Sequence, residues 1–155
     1  MGNYANSIRS ANATMEDIAT LTEGVIGSSS NDVTSTAYTP TLSASGLMTY
    51  TSTTITYARY LIKGPEVTVY FRFSGTTGGT AGTDIRFTLP FTSGNFATNA
   101  TQLGTLFISQ NGSVDSGFCF VDNNSSTASC QTRTQAVWGL GANRLLFGVL
   151  TYLRA

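Results

Sequence analysis

The sequence predicts an all-β protein, a single jelly-roll-like β-sandwich preceded by a short helical or extended arm. Three observations carry that prediction. Segments of alternating apolar and polar residues, the signature of strands with one face in a core, recur along most of the chain. Charged residues are scarce, at 10% against roughly 25% in an average domain. Their place is taken by Thr, which favours strands, and by Ser, Asn and Gly, which favour turns. Finally, about seven or eight short strands separated by Gly- and Asn-rich turns suit a sandwich or jelly roll, and no fixed-period repeat points to a solenoid or propeller. A chain of 155 residues is about one domain, long enough to bury a core without metals or disulfide staples.

Two regions follow: an N-terminal arm, residues 1–37, and a β-sandwich body, residues 38–155. In the arm, Ile8, Ala11, Met15, Ile18, Thr22 and Val25 recur at spacings of three and four, a heptad-like stripe. Thr14 followed by Asp17 is close to a capping signal, and Glu16 and Asp17 suit a first helical turn. Gly24 and Gly27 stop the pattern, so a short helix over about Thr14 to Glu23 is expected. Ser28 to Ala37 reads as an extended linker. A helix this short is marginal alone, so it docks either on its own body or across a subunit boundary.

The body reads as successive strands. Thr53 to Ile62 is rich in Thr, Tyr and Ile. In Glu66 to Phe73, Val67, Val69, Phe71 and Phe73 point inward while Glu66, Thr68, Tyr70 and Arg72 point out. In Asp84 to Leu89 the inward set is Ile85, Phe87 and Leu89, and Pro90 ends the strand. Leu103 to Ser109, Gly117 to Val121 and Ala128 to Trp138 are further strands. The last, Arg144 to Leu153, carries Leu145, Phe147, Val149 and Leu153 on one face and Leu146, Leu150 and Tyr152 on the other. Apolar on both faces, it is either central in the core or pressed against a neighbouring chain.

The chemistry-bearing residues point away from catalysis. The chain has no His, which removes Ser-His-Asp and Cys-His mechanisms and every His-dependent metal site. Glu66 and Asp84 are the carboxylates nearest to a facing pair, but both fall on the outward phase as solvated charges. Asp115 and Asp122 sit in turns without an EF-hand pattern. The stretch from Gly75 to Thr83 lacks the Gly-Lys-Ser/Thr of a phosphate loop and reads as a flexible strand connection. No catalytic residue, metal site or cofactor is therefore expected. If Asn124-Ser125 is a two-residue turn, Cys119 and Cys130 face each other across a hairpin. A disulfide there is conceivable, although cytosolic synthesis favours free thiols.

Partner classes narrow in the same way. Net charge is zero, and one Lys and seven Arg are scattered singly, so nucleic-acid binding through phosphate neutralisation is not expected. No apolar run reaches the ~20 residues of a membrane span, and the N-terminus lacks the pattern of a signal peptide. A charge-poor surface offers little electrostatic protection against association, which suits a protein that works as an assembly. Tyr50, Tyr57 and Trp138 are candidates for a sugar-stacking platform, set against the ordinary role of aromatics in strands and cores.

One region is similar to something known. Tyr38-Thr39-Pro40-Thr41-Leu42, Gly46, Met48-Thr49-Tyr50, Tyr57-Ala58-Arg59-Tyr60, Gly64, the Gly75 to Ala81 turn and Arg86-Phe87-Thr88-Leu89-Pro90 resemble a small domain of tailed-phage virion structural proteins. The resemblance covers residues 38–90, and this chain departs from it at Ile62-Lys63-Gly64-Pro65. It implies a trimeric jelly roll displayed on a virion and assembled in the host bacterial cytoplasm. On that footing Leu146, Leu150 and Tyr152 are expected at the trimer interface, and Ile8, Met15, Ile18 and Val25 in an arm that anchors to the major capsid protein or to the tail or baseplate. The expected function is capsid decoration as a cement protein. The alternative is a tail fibre or receptor-binding tip that recognises a host surface glycan.

Overall fold

The structure, a computed structural model, describes residues 34–95 and 102–155. The expected helix over about Thr14 to Glu23 and the arm residues Ile8, Met15, Ile18 and Val25 lie outside the described residues. Within them the protein is all-β. Its strands are β1 (Thr36–Ala37), β2 (Leu42–Ala44), β3 (Met48–Lys63), β4 (Glu66–Gly79), β5 (Ile85–Thr88), β6 (Gln102–Gln110), β7 (Ser113–Val121), β8 (Thr127–Thr132) and β9 (Gly141–Leu153).

These strands form one antiparallel sheet in the order β1-β3-β4-β9-β6-β7-β8-β5-β2. The sheet curls on itself, because β2 at one edge packs against β3, next to the other edge. Its concave side is the core. Phe71 and Phe73 of β4 stack at a centroid distance of 5.1 Å, and Phe87 of β5 meets Phe71 at 4.7 Å across the interior. Such aromatic pairs add roughly 0.5–1.5 kcal/mol each beyond the area they bury. The inward set expected for β4, Val67, Val69, Phe71 and Phe73, is fully buried.

The sheet departs from the sequence expectation in several places. It is one continuous curled sheet rather than two separate layers. Strand β3 begins at Met48, and β4 runs on to Gly79 through what read as a flexible Gly-rich connection. There a Cβ on Gly75 would lie 2.7 Å from the Tyr50 ring, so glycine lets that ring rest against the strand. Strand β8 stops at Thr132, because Gln135 N–H donates to the Thr132 carbonyl and closes a turn. Asp84 is buried rather than solvated. Its carboxylate accepts from Gln131 Nε2 and forms a 3.0 Å ion pair with Arg86, which is what makes the burial tolerable.

Strand β9 is central, paired with β4 on one side and β6 on the other. That position demands close backbone approach at Gly148, where a Cβ would collide with the Thr105 carbonyl oxygen. At the start of β9 the buried Arg144 guanidinium donates to the carbonyls of Gly139, Leu140 and Ala142. It thereby fixes the irregular segment that follows β8. Trp138 in that segment is fully buried, its indole N–H donating to the Cys130 carbonyl.

Candidate interaction surface

The convex face of β3, β4, β9, β6 and β7 is the part of the described surface that stands out. Strand registers set its side chains in rows. One row runs Tyr57, Arg72, Phe147, Phe107, Ser116, and the next runs Arg59, Tyr70, Val149, Thr105, Phe118. Phe107 and Phe147 stack at 4.4 Å, and the Arg72 guanidinium sits 5.8 Å from the Phe147 centroid. Together with Tyr57, Tyr70, Thr105 and Val149, these two rings line a shallow groove of about 360 Å³. Leu103, 65% exposed, extends the apolar surface along β6.

Tyr57 reaches this face through a local irregularity. Ile55 pairs with Phe73, yet Tyr57 pairs with Arg72, the next residue on β4. Thr56 is thus an extra residue, a bulge that reverses the alternation. Without it Tyr57 would share the inward phase of Ile55. With it the ring is 41% exposed beside Tyr70, itself 39% exposed.

The anticipated interface residues fall elsewhere. Leu146, Leu150 and Tyr152 point into the core and are essentially inaccessible, which corrects their assignment to a trimer contact. The two faces of β9 separate as the alternation indicates, but the curl of the sheet puts Leu146 and Leu150 on its concave side. The opposite face, with Phe147 and Val149, is the one a partner could reach. Of the three aromatics considered for a sugar platform, only Tyr57 is at the surface. Tyr50 is buried with its hydroxyl donating to the Arg144 carbonyl, and Trp138 is in the core. Burial pushes the Tyr50 phenol up from its ordinary value, as expected of a structural group.

Sequence reasoning passed over Phe107 and Phe147, although the doubly apolar character of β9 already marked the latter. Cys119 and Cys130 do lie directly opposite each other across β7 and β8, as two free buried thiols. Burial pushes the Cys119 thiol up to about 12, and burial with the nearby Cys119 raises Cys130 well above its ordinary value. Neither is a thiolate at neutral pH, so neither is poised as a nucleophile.

The outward groups of the convex face are aromatic rings, aliphatic chains, hydroxyls and guanidinium groups, with Lys63 and Glu66 as a facing pair of opposite charges where β3 meets β4. Such a surface can bury apolar area, stack and hydrogen-bond.

No family model matches the sequence, and no curated protein matches it. Among solved structures, the chain is similar to the fibre head protein of bovine atadenovirus type 4, at 8% identity and a TM-score of 0.38, over 76% of this chain and all of that one. At that level of superposition the comparison carries no functional argument, and the reading rests on the surface of this chain.

Proposed function

We propose that this protein is a non-enzymatic structural component of a bacteriophage virion, a jelly-roll-like subunit that works as a homotrimer. The observation that carries the reading is the aromatic convex face of Tyr57, Tyr70, Phe107 and Phe147. Large rings held half-exposed on a rigid sheet gain free energy when a partner removes them from water, at about 25 cal/mol per Å² of apolar area. A second copy is a suitable partner because the chain has no net charge and few charged groups to oppose close approach. Interfaces are characteristically enriched in Tyr, Phe and Arg, the residues gathered here.

Within the virion, the preferred role is capsid decoration, with the segment before Tyr38 attaching the trimer to the major capsid protein. The support is the resemblance of residues 38–90 to virion domains. Copy number in purified particles tests it: hundreds of copies fit decoration, and a few dozen at most place the protein in the tail. A second reading, a tail fibre or receptor-binding tip recognising a host surface glycan, draws on the exposed Tyr57 ring. Particles lacking a decoration protein would lose DNA under milder heating or osmotic shock yet adsorb normally. Particles lacking a receptor-binding tip would keep ordinary heads and fail to adsorb.

A further inference from the structure

A second concavity lies toward the other end of the strand order, where β2, β5 and β8 meet the loop after β7. It is a cleft of about 360 Å³ lined by Ser43, Arg86, Asp122, Ser125, Thr127 and Ser129, within the roughly 300–1,000 Å³ of small-ligand sites. Register assembles it: Ser43 is opposite Arg86, Arg86 is opposite Ser129, and Ser129 is opposite Phe120 of β7. The result is a cross-strand row of hydroxyl, guanidinium, hydroxyl and aromatic ring.

We propose that this cleft binds a neutral saccharide. Its lining is hydroxyls, a guanidinium and a carboxylate, groups that donate and accept as sugar hydroxyls do. Arg86 Nη2 is paired with Asp84, so much of its charge is already offset. With the Asp122 carboxylate also in the lining, an anion gains little there, while a neutral polyol finds both donors and acceptors. The Arg86 side chain as a whole is 41% exposed, which leaves part of it within reach of a ligand in the cleft.

The cleft is held ready for a ligand. Ser93 Oγ donates to the Asp122 carbonyl and accepts from Ser125 N–H, while Ser125 Oγ bridges the backbone N–H and carbonyl of Thr127. A loop pinned at those points loses little freedom on binding. The site shares no lining residue with the convex aromatic groove and does not depend on self-association there.

The test is calorimetric titration of the full-length protein with neutral di- to tetrasaccharides of glucose, galactose, mannose, rhamnose and N-acetylglucosamine, and separately with inorganic sulfate. At least one saccharide is expected to bind. Arg86→Ala and Ser129→Phe, the latter filling the cleft from its outward side, should each weaken it by at least about tenfold, roughly 1.4 kcal/mol. Melting temperature and particle mass should stay unchanged in Ser129→Phe, which separates this outcome from any failure of the trimer reading, whereas Arg86→Ala, which leaves the buried Asp84 carboxylate without its cation, should also melt lower. Should Arg86→Ala fail to fold, Ser129→Phe decides. Binding by no saccharide in the panel, by sulfate alone, or with undiminished strength in Ser129→Phe would overturn the proposal.

Discussion

Leu150 gives the sharpest separation between a core residue and an interface residue. It lies on the central strand β9, opposite Val69 of β4 and Gly104 of β6, with none of its surface exposed. Truncation to Ala removes three buried carbons, worth about 0.8 kcal/mol each by transfer, and leaves a cavity that the paired strands on both sides cannot collapse to fill. A loss of about 3 kcal/mol is expected, inside the roughly 2–5 kcal/mol range of such changes. For a folded body of this size that lowers the melting temperature by roughly 10 °C. Thermal unfolding by circular dichroism at fixed protein concentration, with a urea titration whose slope is unchanged, measures it. Leu146→Lys and Leu150→Lys should go further and unfold the protein, because each buries an unpaired charge. A Leu150→Ala protein that melts like the unmodified one but dissociates into monomers would refute the placement of this face in the core.

Other outcomes follow from the same contacts. Gly148→Ala, which sets a methyl against the Thr105 carbonyl, should cost at least about 1–3 kcal/mol by forcing β6 and β9 apart, read as a lower urea midpoint. Tyr50→Phe leaves the Arg144 carbonyl without its buried donor and should cost about 1 kcal/mol by the same titration. Stability should also fall in alkali. The folded Cys119 thiol is raised to about 12 from 9.0 and the Tyr152 phenol to about 12 from 10.0, so the folded state keeps protons that the unfolded chain releases. Their contribution is whole below pH 9 and declines as pH rises toward 12, and a melting temperature that holds steady across that window would contradict it. Thiol reagents should modify Cys119 and Cys130 only as fast as the protein unfolds.

Much of the sheet was legible because burial imposes a period of two. The alternation in β4 assigned every side chain from Glu66 to Phe73 to its observed side, and the facing of Cys119 and Cys130 came from register alone. The closure of the sheet was not legible. Alternation sorts β9 into two faces but cannot say which one the curl turns inward, so Leu146, Leu150 and Tyr152 were placed on the wrong side. Tyr57 was named as a candidate surface ring, but its place beside Tyr70 was not legible, since the bulge at Thr56 is a departure from the period that the reading relies on. Asp84 was misplaced because its burial depends on Gln131 and Arg86, one of them 47 residues away in sequence.

The central claim is that the aromatic convex face joins copies of this chain, and mass in solution tests it most directly. Light scattering on the unmodified protein should give three times the 16.4 kDa chain mass. Phe147→Glu should give a folded monomer, since Arg72 stands opposite to receive the new carboxylate and the ring contributes to the surface rather than the core. A monomer for the unmodified protein, or a trimer that Phe147→Glu leaves intact, would contradict the account.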